Sequence, residues 1–84
     1  MHFTYNTKGT CSRLIDFDVE NGVIANVKFT GGCNGNLKGI AKLVEGMKIE
    51  EVADKLKGIS CGARTTSCPD QLAMACEEYI KKNN

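Results

Sequence analysis

Eighty-four residues with 42% hydrophobic content make one small globular domain, too short for two cores and too apolar for a disordered chain. Eleven Lys and Arg against ten Asp and Glu leave a net charge of +1 with no basic stripe, which speaks against nucleic acid as a partner. No apolar run approaches the roughly 20 residues that cross a bilayer. The start, "MHFTYNTKGT", has neither the charged nor the apolar region of a signal peptide, so a cytoplasmic chain with reduced thiols is expected.

Phe3 and Tyr5 alternate with Thr4 and Asn6, which predicts a first strand. Ile15, Phe17 and Val19 then alternate with Asp16 and Asp18. Beyond Asn21-Gly22, Val23, Ala25, Val27 and Phe29 alternate with Ile24, Asn26, Lys28 and Thr30. Period-2 patterning on both sides of Asn-Gly predicts a hairpin, because that dipeptide accepts the positive φ of a type I′ turn. Strict alternation puts Ile24 on the outward face.

The remainder reads as three helices. Leu37, Ile40, Ala41 and Val44 form an i, i+3, i+4, i+7 stripe that stops at Gly46. Ile49, Val52, Ala53 and Leu56 repeat the stripe and stop at Gly58. The last helix is expected to start with Pro69 at its first position and Cys68 as its N-cap, then to run through Leu72, Cys76, Tyr79 and Ile80. No repeat or linker interrupts the chain. Residues 1–84 are therefore expected to form one α+β domain, a small antiparallel sheet followed by three short helices. Nothing in the sequence marks an oligomeric state.

Five cysteines are many for a reduced chain, and an odd count fits a closed disulfide framework poorly. Metal binding or thiol chemistry is the better default. Cys76 lies four residues from both Leu72 and Ile80 and reads as a small core residue. The other four stand at element ends. Cys11 opens the first hairpin strand, Cys33 lies in "TGGCNGN" between strand and helix, Cys61 follows the Gly58 stop, and Cys68 precedes Pro69. Cys33 and Cys68 lie at or near helix N-termini, where the dipole and unpaired N–H groups favour a thiolate. The intervening lengths of 21, 27 and 6 residues match no zinc-finger spacing, so the argument is positional. His2, the only histidine, lies at a terminus and is not expected to ligate.

The string "TSCPDQLA", residues 66–73, within "CGARTTSCPD", resembles the signature of the TSCPD domain, and the likeness extends over nearly the whole chain. TSCPD domains also occur at the C-terminal end of adenosylcobalamin-dependent, class II ribonucleotide reductases. The resemblance therefore implies a link with deoxyribonucleotide synthesis and a reductase as partner. More distantly, the order of a strand cysteine, a hairpin, "FTGGC" leading into a helix, "EGMKIEEV" leading into another, and a cysteine at the last helix is similar to IscU/SufU-type iron–sulfur scaffolds. That resemblance implies that Cys11, Cys33 and Cys68 match the scaffold's three cysteines. The scaffold's histidine is replaced by Ser67 and its labilising aspartate by Arg13. With Cys61 as a fourth thiolate, the resemblance implies a site that keeps its metal.

The leading expectation is a four-thiolate site of Cys11, Cys33, Cys61 and Cys68 holding zinc or an iron–sulfur cluster, a donor set that suits either and does not choose between them. Structural zinc supplies on the order of 10 kcal/mol or more at neutral pH. A core of this size supplies only roughly 3–5 kcal/mol, so bound zinc would decide whether the domain folds. The protein is then a binding or accessory module beside a reductase, since a domain of 84 residues does not build a nucleotide-reducing barrel. Three alternatives stand beside it. Cys61 and Cys68 would pass electrons to a reductase as a dithiol–disulfide pair with Cys68 as nucleophile, the chain would be an iron–sulfur scaffold, or "TGGCNGNLKG" would bind a nucleotide phosphate at a helix N-terminus.

Overall fold

Alternation of apolar and polar residues produces three strands, β1 (His2–Asn6), β2 (Ser12–Glu20) and β3 (Val23–Gly31), joined as an antiparallel sheet in the order β1-β2-β3. A computed structural model of the chain describes residues 1–7, 12–31, 34–59 and 66–82. Asn21 and Gly22 have φ of 54° and 76° between the paired Glu20 and Val23, as a type I′ turn requires. Ile15, Phe17 and Val19 face the core, with Ile15 and Phe17 wholly buried. On the other face, Asp18 accepts from the Asn26 side-chain amide at 2.9 Å and is hydrogen-bonded to His2 Nδ1 at 2.7 Å. These contacts hold the Asp18 carboxyl below its ordinary pKa, the Asn26 bond first and the His2 bond second.

Ile24 does not face outward as strict alternation predicts. It is wholly buried, paired with Val19. The cause is a β-bulge. Asp16 pairs with Lys28 but Asp18 pairs with Ala25, so β3 spends one residue more than β2 over the same distance. Asn26 absorbs the extra residue at φ 54°. The side-chain phase reverses there, and Val27 and Ile24 reach the same core from positions of opposite parity.

Three helices follow: α1 (Asn34–Val44), α2 (Ile49–Leu56) and α3 (Cys68–Lys82). The first two end at Gly46 and Gly58, with φ of 82° and 86°. The turn between α1 and α2 lies along the edge of β3. Gly46 N–H donates to the Ile24 carbonyl, Ile24 N–H to the Met47 carbonyl and Ile49 N–H to the Gly22 carbonyl, each at 2.9 Å. These bonds satisfy the part of the edge that would otherwise offer itself to another strand. Helix α1 packs on β3, α2 on α3, and α3 on β1 and β2. One core results, in which Ile15, Phe17 and Ile24 of the sheet meet Val44, Ile49, Val52, Leu72 and Cys76 of the helices. This is the expected α+β arrangement. Among the described residues no helix is long and apolar enough to cross a membrane.

Candidate functional site

The direction of α3 follows from ring contacts and charge. Phe3 of β1 meets Tyr79 edge-on, with centroids 5.7 Å apart, and Lys82 Nζ lies 5.8 Å from the centre of the Phe3 ring. Further along β1, the Tyr5 hydroxyl feels Glu78 and Asp70, which add to burial in raising its pKa above 10.0. Helix α3 therefore runs antiparallel to β1. From Tyr79 back to Asp70 the helix rises about 13 Å at 1.5 Å per residue, and from Phe3 to Thr7 a strand covers about the same at 3.3 Å per residue. The N-terminal half of α3 thus lies toward the same end of β1 as the far end of the hairpin. There Thr7 N–H donates to the Arg13 carbonyl at 3.2 Å and Ser12 pairs with Gly31.

Of the four predicted ligands, only Cys68 falls among the described residues, at the first position of α3 and 7% exposed. Cys11, Cys33 and Cys61 lie outside them. Their described neighbours are informative. Ser12 follows Cys11 in the chain, and its register partner Gly31 stands two residues before Cys33. Ile59, two residues before Cys61, accepts a hydrogen bond at 2.6 Å from Ser67, the residue before Cys68. Among the described residues no three His, Cys, Asp or Glu side chains are grouped to hold a metal.

The residues around Cys68 form a connected polar network. Ser67, rather than Cys68, caps α3. Its Oγ accepts from Asp70 N–H at 3.2 Å, its carbonyl accepts the first helical bond from Gln71 N–H at 2.8 Å, and its hydroxyl donates to the Ile59 carbonyl. Cys68 and Pro69 are therefore the first and second helical residues, one place later in the helix than expected. Proline at the second position loses no helical hydrogen bond, because the N–H groups of the first turn have no intrahelical acceptor. The cap and the first helical bond outweigh the steric preference of a pre-proline residue for extended backbone.

Asp70 is 7% exposed and binds with both oxygens. Gly58 N–H donates to Oδ1 at 2.7 Å and the Thr66 hydroxyl to Oδ2 at 2.5 Å, while Gln71 Nε2 donates to Thr66 Oγ1 at 3.0 Å. Thr66, Ser67, Asp70 and Gln71 are parts of the site's surroundings that composition and cysteine position do not reveal. The signal for two of them is the capping box, Ser67 followed three residues later by an acid.

Cys76 is wholly buried, and its thiol is pushed up to about 12 by burial and then by the Glu77 charge. It behaves as the core residue its helical position predicts. His2 is engaged with Asp18, and its Nε2 lies 3.4 Å from Asp16 Oδ1, on the outer face of the sheet. A groove between α2 and α3, bordered by Asp54, Lys57, Met74, Glu77 and Lys81, includes none of the cysteines.

A thiol at the first turn of a helix suits a soft metal ion, because the positive end of the helix dipole favours the thiolate. Compared with known families, residues 3–80 match the family model described as the TSCPD domain. No curated protein and no solved structure matches the chain.

Proposed function

The chain belongs to the TSCPD domain family, and we propose that it is a metal-binding accessory module whose ligands are the thiolates of Cys11, Cys33, Cys61 and Cys68. The observation that carries this reading is the placement of the cysteines' neighbours. Ser12, next to Cys11, pairs with Gly31, two residues before Cys33, at the end of the hairpin, and Ile59, two residues before Cys61, is bonded to Ser67 beside Cys68. Four thiolates suit zinc as a structural ion, with no position left open, and equally suit an iron–sulfur cluster. Bound there, the metal would tie the hairpin, the segment after α2 and the start of α3 into one unit. The core alone is small, so the ion would supply a large share of the folding free energy.

Two observations favour a retained metal over the other thiol chemistries. Cys68 is 7% exposed, whereas a thiol that attacks a disulfide needs access to it. Ser67, which stands where an iron–sulfur scaffold places a histidine, has its hydroxyl committed to the helix cap and to Ile59. The biological setting we propose, from the family, is a role beside a ribonucleotide reductase in the supply of DNA precursors. The module would contribute a docking or stabilising function there, not the reduction itself.

The test is metal content and visible absorbance of untagged protein purified without oxygen. About one zinc per chain and no colour supports a structural four-thiolate site. A brown protein with iron and sulfide supports a cluster in the same ligands. A folded chain with no metal and four readily titrated thiols overturns the reading.

A further inference from the structure

We propose that the outer edge of β1 is the interface of a two-fold dimer, in which Thr4 of one chain pairs with Thr4 of a second copy and the two sheets become one. The inference is independent of the cysteines. The sheet order β1-β2-β3 leaves two edges. Part of the β3 edge is occupied by the turn between α1 and α2, through the bonds of Ile24 and the bridge of Val23 to Lys48. Among the described residues nothing pairs with the outer side of β1. Its sequence, "HFTYN", lacks the devices that usually blunt such an edge. It holds no Lys and no Pro, and its register with β2 is unbroken.

The backbone fixes which groups face outward. Met1 and Val19 exchange both their N–H···O bonds, at 2.9 and 2.8 Å, and Thr7 N–H bonds the Arg13 carbonyl. In an antiparallel ladder such pairs alternate with pairs that exchange none. Phe3 and Tyr5 therefore bond to β2, and the N–H and C=O groups of His2, Thr4 and Asn6 point away from it. A second copy laid antiparallel about Thr4 pairs Thr4 with Thr4 and His2 with Asn6, so every outward group of the strand finds a partner. Sliding the copy by two residues leaves His2 or Asn6 without one inside the strand.

The side chains suit the same register. Phe3 and Tyr5 are half-buried at the edge of the core, and the pairing sets Phe3 beside the second copy's Tyr5, a favourable cross-strand aromatic pair. On the other face Thr4 meets Thr4 and His2 meets Asn6, with no like charges opposed. Helix α3 adds charge complementarity. Glu77 reaches Lys57 of α2 at 3.2 Å, whereas Glu78 and Lys82 pair with each other at 3.2 Å on the side of β1. Lys82 Nζ stands 5.8 Å from the centre of the Phe3 ring, and the Glu78 charge acts on the Tyr5 hydroxyl. Because the two-fold axis brings Phe3 beside Tyr5, it brings Lys82 of each copy toward Glu78 of the other.

The experiment is sedimentation velocity on the full chain as purified, with reductant present so that no disulfide links two copies. Concentrations reach about 100 μM, which saturates a contact of micromolar Kd. The expected mass is twice 9.1 kDa and no larger, because a two-fold contact closes on itself. Thr4→Pro removes an N–H that β2 does not use and blocks the pairing at the axis. Thr4→Lys sets two ammonium groups opposite each other at the axis, while within one chain it stands beside Asp16, the register partner on β2. Both variants are expected to keep the wild-type far-UV circular dichroism and to associate about tenfold or more weakly. If Thr4→Pro does not fold, Thr4→Lys decides alone. A wild-type chain that stays monomeric throughout overturns the proposal. So does a mass that climbs past the dimer, or a folded Thr4→Lys that dimerises as tightly as wild type.

Discussion

Ser67→Ala tests the local architecture beside Cys68 with a single atom. The substitution removes Oγ from a side chain that is 5% exposed and makes two hydrogen bonds. Loss of the cap to Asp70 N–H costs about 1 kcal/mol. Loss of the bond to the Ile59 carbonyl adds about 0.5–1 kcal/mol, toward the lower end where water reaches that carbonyl instead. The expected destabilisation is therefore about 1.5–2 kcal/mol. For a domain of this length each kcal/mol moves the melting temperature by roughly 4–8 °C, so Tm should fall by about 6–16 °C. Urea unfolding followed by far-UV circular dichroism measures it, with wild type and variant at equal metal loading, since a bound ligand adds its own stabilisation. Ser67→Thr keeps the hydroxyl and should stay within about 0.5 kcal/mol of wild type. If Ser67→Ala loses less than about 0.5 kcal/mol, the cap is not worth what its geometry implies and the N-terminus of α3 is held by something else.

Ile24→Ala should lose about 2–4 kcal/mol in the same unfolding assay, because the side chain is wholly buried; a loss under about 0.5 kcal/mol would place Ile24 on the outward face and refute the bulge at Asn26. With its thiol raised from 9.0 to about 12, Cys76 should present roughly a thousandfold fewer thiolates than an ordinary cysteine near neutral pH. Iodoacetamide should therefore reach it only on unfolding, as peptide mass mapping would show, and native-state labelling at an ordinary rate would contradict its burial. The Asp18 carboxyl has a folded-state pKa below its unfolded one. Its contribution is therefore complete above the unfolded value and is lost as pH falls through the folded one. Asp18→Asn should make the decline of stability below about pH 4 shallower, and an unchanged acid limb would refute the role of the Asn26 and His2 contacts.

The parts of the fold that depend on neighbours in sequence were legible. Asn21-Gly22 named its own turn because two residues with positive φ are a local requirement. Cys76 declared itself a core residue through partners four positions away on each side of α3, and Gly46 and Gly58 marked the ends of α1 and α2. Ile24 was misplaced because a bulge is a property of two strands. Only the pairing of Asp16 with Lys28 and Asp18 with Ala25 shows that β3 holds an extra residue. At the start of α3 two local rules competed. The pre-proline rule pointed to Cys68 as the cap, while Ser67 with Asp70 three residues on fits a capping box, and the hydrogen bonds decided for Ser67. The bond from Gly58 to Asp70 was not legible at all. It needs the end of α2 to pack against the beginning of α3, which is a tertiary outcome with no periodicity of its own.

Four cysteines, and not the fifth, are proposed to hold one metal centre, a zinc ion or a cluster. The most direct measurement is the metal-to-protein ratio, by plasma mass spectrometry, of the wild-type chain and five single serine variants purified alike without oxygen. A stoichiometric metal is expected in the wild type and in Cys76→Ser, and its loss, with reduced folding, in the variants at Cys11, Cys33, Cys61 and Cys68. Full metal retention in any of those four, or a folded wild-type chain without metal, would contradict it.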